Sequence, residues 1–243
     1  MTAVTIPAEM YPFDCATEHT ALLIIDMQND FCSPGGYGAL MGYDVEKTRR
    51  PIEPIRRVLH AARSVGMRII HTREGHRPDL SDCPANKLEH SKKMGAGIGD
   101  AGPLGRVLVR GERGHAIIDE LQPLPDEVVL DKPGKGAFYQ TDLDVILQNG
   151  GITHLLFTGV TTDVCVHTTL RNANDMGLRC LLIEDCCGAF DEANHRAAVS
   201  MVKMQGGIFG WVSTSTEVAD VLNGIVAPAS DTVDAGTAAG RTW

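Results

Sequence analysis

The sequence lacks the features that would direct a protein to a membrane, to the secretory pathway or to nucleic acid. No apolar stretch comes near the roughly 20 residues that a membrane-spanning helix needs. Residues 1–7 have neither the basic start nor the apolar core of a signal peptide. Basic residues number 22 against 31 acidic ones, the net charge is −9, and no long basic run is present. We therefore expect a cytoplasmic protein with no nucleic-acid partner and no membrane partner.

Patterned cysteines are missing as well. The seven cysteines are an odd number at irregular spacing, which is typical of reduced thiols and not of a disulfide framework. Adjacent Cys186 and Cys187 are accompanied by no CxxC pair and no histidine-rich run, so packing explains them better than a zinc site. The GxSxG motif of serine hydrolases is absent, and no GxGxxG follows the first apolar run. We therefore expect neither a metal nor a cofactor.

What the sequence does contain is an alternation of short apolar runs and amphipathic segments. Several runs are apolar throughout, which is the pattern of a strand buried on both faces of a parallel sheet. The expected strands are residues 21–25, 67–71, 128–131, 155–157, 180–183 and 207–212. The expected helices are residues 45–65 (starting near Pro51 or after a short turn), 116–121, 141–148, 168–173, 191–204 and 216–222. This alternation predicts one doubly wound, mostly parallel α/β domain.

The domain organisation follows from the composition along the chain. Residues 1–19 are polar and contain prolines, which indicates an arm over the surface or over a neighbouring subunit. Residues 20–224 hold the strands and helices of a single domain, and the Ala-, Ser-, Thr- and Gly-rich residues 225–243 are predicted to be disordered. Residues 72–127 are rich in glycine, proline and charge. Within them we expect short helices and a lid or a subunit contact.

The stretch around which the chain is organised runs from Gly159 to His167, GVTTDVCVH, between an apolar run and an amphipathic segment. This order predicts a strand, a tight turn and a helix whose first turn holds Cys165. Unpaired backbone N–H groups and the positive end of the helix dipole favour an anion at that place. We therefore expect a lowered pKa for the Cys165 thiol, which would make it a usable nucleophile. The alternative is a small apolar residue that packs the start of the helix.

Two charged residues follow other apolar runs: Asp26 comes after residues 21–25 and Lys132 after residues 128–131. In a doubly wound sheet the reactive groups collect at the carboxyl ends of parallel strands, and neighbouring strands are about 5 Å apart. A thiol that attacks a carbonyl needs a group to take its proton and benefits from a nearby cation. Asp26 suits the first role and Lys132 the second, with Cys165 as the nucleophile. Alternatively, each charged residue simply closes a solvated loop.

Three ordered blocks carry a resemblance to a known family. The blocks are LIIDMQNDF at residues 23–31, DKP at residues 131–133 and GVTTDVC at residues 159–165. They resemble the signature blocks of the isochorismatase-like cysteine hydrolases, and the likeness runs nearly the whole length of the chain, from residue 20 to residue 222. The resemblance implies a Rossmann-like six-stranded parallel sheet with helices on both faces, in a homo-oligomer that is a tetramer.

The resemblance also implies roles for individual residues. Asp26, Lys132 and Cys165 would form the catalytic triad. The peptide bond between Val160 and Thr161 would be cis, and the backbone N–H groups of Thr161 and Cys165 would form the oxyanion hole.

Further blocks narrow the resemblance within the family. They are SPGGY at residues 33–37, KPGKGAF at residues 132–138 and KMQGGIFGW at residues 203–211. These blocks resemble the ureide amidohydrolases, above all those that cleave biuret to urea-1-carboxylate (allophanate) and ammonia. By position, Lys135 and Gln205 would bind the carbonyl and amide groups of the ureide, and Phe31 would wall the pocket. Such a substrate is nearly all hydrogen-bonding atoms, so its site needs charged and amide partners.

Other activities stay open at this point. Triuret hydrolases and ureidoacrylate amidohydrolases share much of the pattern. The isochorismatase reaction, a vinyl-ether hydrolysis, needs no thiol nucleophile, so Cys165 argues against it. A redox-sensing or scaffold role would keep Cys165 but would not need Asp26 and Lys132.

A metal site is a further possibility that the resemblance raises. Residues 72–76, TREGH, are similar to the metal-binding stretch of the nicotinamidases, which are relatives in the family. However, Glu74 stands in place of an aspartate, a glycine replaces the aromatic residue, and no later histidine is evident. We therefore expect Glu74 and His76 to belong to a hydrogen-bonded loop, because a catalytic site would want three ligands. Asp163 is expected to cap the helix, and His167 to be structural.

Overall fold

The computed structural model describes residues 2–226 and contains a central six-stranded parallel sheet. In chain order the strands are β1 (Ala3–Ile6), β2 (Phe13–Ala16), β3 (Thr20–Ile25), β4 (Arg68–Glu74), β5 (Ala101–Gly102), β6 (Gly105–Arg106), β7 (Val128–Lys132), β8 (His154–Val160), β9 (Arg179–Gly188) and β10 (Trp211–Ser213). The sheet order is β10-β9-β8-β3-β4-β7. The chain therefore runs outward from β3 to β7 and returns to the other side of β3 with β8. The switch point of this Rossmann-like sheet lies between β3 and β8.

Helices cover both faces of the sheet, as predicted. They are α1 (Asn29–Cys32), α2 (Tyr37–Leu40), α3 (Glu46–Arg49), α4 (Ile52–Ser64), α5 (Ala85–Lys93), α6 (Leu143–Asn149), α7 (His167–Asp175), α8 (Glu192–Gly207) and α9 (Ser215–Val226). Leu22 and Ile24 of β3 pack in the layer of α4 and α9, whereas Leu23 and Ile25 pack in the layer of α6, α7 and α8. Both faces of β3 are buried, which is why its sequence is apolar without alternation.

Two predicted elements differ from the observed ones. Of the helix expected at residues 116–121, only a single 3-10 turn forms, at Asp119–Leu121. The last strand begins at Trp211 and not at residue 207. Gly207 and Gly210 have φ angles of 87° and 146°, and a Cβ at Gly210 would lie 2.2 Å from the Cys180 carbonyl oxygen. These glycines form a turn that only a residue without a side chain can make, so the strand starts after it.

The N-terminal residues form a hairpin on the chain's own domain. Strands β1 and β2 pair antiparallel, and the Glu9 N–H donates to the Val212 carbonyl at 2.7 Å. The hairpin thus covers the edge strand β10, and the predicted contact with a neighbouring subunit stays a prediction. Residues 225 and 226 of the predicted tail belong to α9, and residues 227–243 lie outside the described residues. No helix within residues 2–226 is long and apolar enough to cross a membrane.

The segment at residues 77–115 contains the expected short helix, α5, and the β5–β6 hairpin. Asp30 ties this segment to the domain, because its Oδ2 accepts the Leu108 N–H at 3.0 Å and its Oδ1 accepts the Tyr37 N–H at 3.2 Å. Ile98 and Leu108 are buried in the same apolar cluster as α4. The segment is therefore packed against the sheet as part of the domain, next to the carboxyl ends of the strands.

Candidate active site

Four chemically active side chains meet at the carboxyl ends of adjacent strands. Asp26 follows β3, Glu74 ends β4, Lys132 ends β7 and Cys165 follows β8. Because these four strands are neighbours in the sheet, the side chains converge although up to 139 positions of sequence separate them. The side chains of Asp26 and Lys132 are fully buried, and Glu74 and Cys165 are each 5% exposed. The predicted triad is therefore brought together at one place.

Asp26 and Lys132 form the centre of this cluster. Lys132 Nζ lies 2.7 Å from Asp26 Oδ2 and donates to the Gly134 carbonyl at 2.9 Å. The other carboxylate oxygen, Asp26 Oδ1, accepts the Thr72 hydroxyl at 2.7 Å. Burial alone would lower the pKa of Lys132, but Asp26, Cys165 and Glu74 raise it. Lys132 is therefore a permanent cation beside the Cys165 thiol.

Glu74 joins the cluster, which sequence reasoning missed. Cys165 Sγ donates to Glu74 Oε2 at 3.3 Å, and Lys132 Nζ lies 3.3 Å from the same oxygen. The other oxygen, Glu74 Oε1, lies 2.6 Å from Nζ of Lys87 on α5. The available signal was its position, since Glu74 ends an apolar strand as Asp26 and Lys132 do. The likeness to a metal-binding stretch obscured that signal.

The lowered pKa expected for Cys165 is wrong for this structure. Cys165 lies in a single π-helical turn, Thr162–Val166, and the regular helix α7 begins only at His167. Burial raises the pKa of the thiol well above its ordinary value, Asp26 and Glu74 add to this, and Lys132 opposes it. Desolvation of the buried sulfur thus outweighs the dipole of the helix start. The resting state is a neutral thiol.

A cavity of about 270 Å³ opens in front of Cys165. Three other residues predicted for the site, Phe31, Lys135 and Thr161, line it, and the Val160–Thr161 peptide is cis as the resemblance implied. Gln205 does not line it: this residue is exposed at the distorted end of α8, with a φ of 53°. The remaining lining residues are aromatic, apolar, polar and charged of both signs: Tyr37, Met41, Tyr43, Glu74, Lys87, His90, Met94, Asp163, Val164, Phe190, Asp191 and Asn194.

In the stretch that resembles a metal-binding site, residues 72–76, Glu74 and His76 interact with other side chains. Glu74 is held by two lysines, and His76 is buried with its Nδ1 3.2 Å from Asp82 Oδ1. Within residues 2–226, the group of acidic and thiol side chains close enough to bind an ion is Asp26, Glu74 and Cys165. Lys132 Nζ already lies beside both carboxylates of that group. An ammonium therefore supplies the positive charge at this place.

Of the two further residues predicted in this region, Asp163 differs from its predicted role. Asp163 does not cap the helix, because no side-chain cap is made at the start of the turn, and its Oδ1 is buried without a hydrogen-bond partner among the described residues. Asp163 lines the cavity instead. His167 accepts a hydrogen bond from Arg171 Nε at 3.0 Å and lines a separate groove on α7 and α8. Its structural role stays a prediction.

A doubly wound sheet with a buried carboxylate, an ammonium and a thiol at its switch point defines a class, the cysteine hydrolases of Rossmann-like fold. The sequence matches the Isochorismatase domain family over residues 20–217, and the chain belongs to this family of hydrolases.

Comparisons with individual proteins agree. The chain is 34% identical over 223 residues to ureidoacrylate amidohydrolase RutB of Enterobacter sp. (strain 638), covering 90% of this chain and 96% of the relative. It also resembles the crystal structure of a cysteine hydrolase from Pseudomonas syringae pv. phaseolicola 1448A, with 25% identity, a TM-score of 0.75, and 92% and 99% of the two chains covered. A third relative is N-carbamoylsarcosine amidase from Thermoplasma acidophilum, with 25% identity, a TM-score of 0.62, and coverage of 81% and 96%.

Proposed function

We propose that this protein is a cysteine amidohydrolase that releases ammonia from the terminal amide of a small ureide. The observation that carries the proposal is the convergence of Asp26, Lys132 and Cys165, of which Cys165 lines the cavity and the other two are fully buried beside it. The similarity to an enzyme named for ureidoacrylate and to one named for N-carbamoylsarcosine supports a substrate with a carbamoyl group.

The first step is transfer of the thiol proton. One carboxylate oxygen each of Asp26 and Glu74 and the sulfur of Cys165 lie within 4.8 Å of one another. Burial and the nearby Glu74 raise the pKa of Asp26 despite Lys132, whereas the pKa of Glu74 is lowered to about 2 because Lys132 and Lys87 outweigh its burial. Asp26 is therefore the carboxylate that binds a proton more readily. It takes the proton, and Lys132 stabilises the thiolate that remains.

The thiolate then attacks the terminal ureido carbonyl. The backbone N–H groups of Thr161 and Cys165 stabilise the oxyanion, and Asp26 gives its proton to the departing ammonia. A carbamoyl thioester remains on Cys165. Water that gives a proton to Asp26 attacks this thioester, the C–S bond breaks, and the proton returns to the sulfur. The product is the N-carboxylated amine, and urea-1-carboxylate is that product when the substrate is biuret.

We place ureidoacrylate before biuret as the substrate, with triuret as a third candidate. Lys135 lines the cavity and makes no hydrogen bond or ion pair with another side chain in the described part of the chain, so it is available for a substrate carboxylate. Phe31, Tyr37 and Phe190 provide flat apolar walls that suit a conjugated acid. Biuret carries no carboxylate, and Gln205, which was expected to bind its amide, lies outside the cavity.

The test measures ammonia release from ureidoacrylate, biuret and triuret by the full chain. Cys165→Ser should lose at least about a thousandfold in kcat with an unchanged circular dichroism spectrum. Lys135→Met should raise KM for ureidoacrylate at least about tenfold and leave KM for biuret within about twofold, because only the acid uses this charge. Continued ammonia release by Cys165→Ser would disprove the mechanism. Equal effects of Lys135→Met on both substrates would remove the preference for an acid.

A further inference from the structure

A second ion pair extends the triad outward to the helix α5. Glu74 accepts the thiol hydrogen bond of Cys165 through Oε2, while its Oε1 lies 2.6 Å from Lys87 Nζ. Lys87 Nζ also donates to the Pro133 carbonyl at 2.8 Å, and its side chain is only 14% exposed. The Lys87 ammonium thus contacts the Glu74 oxygen that does not accept the thiol hydrogen bond. The Glu74 carboxylate therefore links this cation to the Cys165 sulfur.

The helix α5 presents this lysine from a packed position. Lys87, His90 and Met94 lie on one helical face and line the cavity. Ser91 is buried on the same helix, and its hydroxyl accepts the Ile98 N–H at 3.0 Å. Helix α5 is therefore a wall of the candidate active site, and Lys87 is the part of that wall that reaches Glu74 beside the triad.

The charges of the cluster explain why a second cation is needed. Without Lys87, two buried carboxylates, Asp26 and Glu74, would share the single ammonium of Lys132. A thiolate on Cys165 would then form 3.3 Å from an uncompensated carboxylate, and like charges at that distance repel strongly in a water-poor site. With Lys87 in place the charges balance, both for the neutral thiol and after the thiol proton has moved to Asp26. The other titratable side chains that line the cavity are Tyr37, Tyr43, His90, Lys135, Asp163 and Asp191.

We propose that Lys87 is a positioning residue whose charge neutralises Glu74, so that the Cys165 thiolate can form beside a second carboxylate. The packing of α5 against the strand ends, which holds Lys87 beside Glu74, then controls the reactivity of Cys165. The inference rests on Cys165 as the nucleophile of the proposed function but not on any particular substrate. Glu74, which contacts the reacting sulfur, fixes the thiol by accepting its hydrogen bond.

The experiment measures the rate at which iodoacetamide alkylates Cys165 in the folded full chain, read by peptide mass spectrometry between pH 6 and 10. At each pH the rate follows the thiolate fraction, so Lys87→Met should slow alkylation at least about tenfold, the effect of raising the pKa of the thiol by one unit. Lys87→Arg should restore the parental rate, since it keeps the charge. Glu74→Gln should change the rate in the opposite direction, upward, and Glu74→Gln/Lys87→Met should alkylate faster than Lys87→Met. Lys93→Met, an exposed lysine on the same helix, is the matched control and should behave as the parent chain.

Two results would overturn the inference. One is a parental alkylation rate in folded Lys87→Met. The other is slower alkylation of Glu74→Gln than of the parent chain, which decides the matter even if Lys87→Met does not fold. Because alkylation needs no substrate, the expected pattern in a chain that cleaves no ureide would sustain this inference and reject the proposed function. If instead the chain released ammonia but the Lys87 variants alkylated at the parental rate, the proposed function would be sustained and this inference rejected.

Discussion

Replacing Lys132 by methionine should destabilise the fold through the charges that it leaves behind. Lys132 is fully buried, with its Nζ 2.7 Å from Asp26 and 3.3 Å from Glu74. Methionine fills a similar volume, so little packing is lost. Removing one partner of a buried ion pair costs about 3–5 kcal/mol because the remaining charge has no compensation. We expect a loss of that size in the free energy of unfolding at pH 8.

The pH dependence separates this charge effect from a packing effect. Without Lys132, the folded-state pKa of Asp26 lies further above its unfolded value, so the native state of the variant binds a proton that the unfolded state does not. Stability then falls as pH rises, at about 1.4 kcal/mol per unit over the range between the two pKa values. The loss measured for Lys132→Met should therefore be smaller at pH 5 than at pH 8. Protonating Asp26 removes the unpaired charge.

The assay is urea unfolding followed by circular dichroism at both pH values, on Lys132→Met and on Asp26→Asn/Lys132→Met. The double variant should recover part of the loss at pH 8, since it no longer buries an unpaired Asp26 carboxylate. A loss below about 1 kcal/mol at pH 8 would refute the reasoning, because it would mean that the cluster is solvated or protonated in the native state. An equal loss at both pH values would point to packing instead.

Two further predictions concern the support of the site. Burial raises the pKa of Asp30 from its ordinary 3.8 to about 6, so stability should fall by about 2 kcal/mol as pH rises from 4 to 7, and urea unfolding should show this component absent in Asp30→Asn. Gly159 has a φ of 110°, and a Cβ there would lie 2.0 Å from the Ile25 carbonyl oxygen. Gly159→Ala should therefore cost more than about 2 kcal/mol and abolish ammonia release. Gly177→Ala, at a φ of 85° in open space, should cost no more than about 1–2 kcal/mol and keep activity.

The fold and the centre of the site could be predicted because local pattern was sufficient for them. The apolar run of β3 is continuous because both of its faces are buried, and Asp26 directly follows it. The same pattern places Lys132 at the end of β7, and parallel strands bring such positions to one edge. Neither prediction needed knowledge of a long-range contact beyond the parallel arrangement itself.

What could not be predicted depends on the contacts that residues 77–115 make with the strand ends and on burial. Lys87 meets Glu74 only because α5 folds back against the strand ends, and nothing within residues 77–115 of the sequence reveals that approach. The pKa of Cys165 was predicted from the helix start alone, whereas burial of the sulfur raises this pKa. Gln205 was placed by resemblance to a block of sequence, but the backbone around it turns at a φ of 53° and leaves the side chain exposed. These are tertiary properties, and sequence pattern does not contain them.

The two buried carboxylates, Asp26 and Glu74, differ in pKa because their surroundings differ. Asp26 shares one lysine with Glu74 and lies deepest, so burial keeps its pKa raised. Glu74 contacts two lysines, which lower its pKa to about 2 despite burial. A pair of carboxyl groups whose pKa values are driven apart provides one proton carrier and one permanent anion. In the proposed reaction Asp26 therefore carries the proton from the thiol to the departing ammonia and then a proton from water to the sulfur. Glu74 stays ionised and holds the thiol in place, and the second lysine that makes this possible comes from α5.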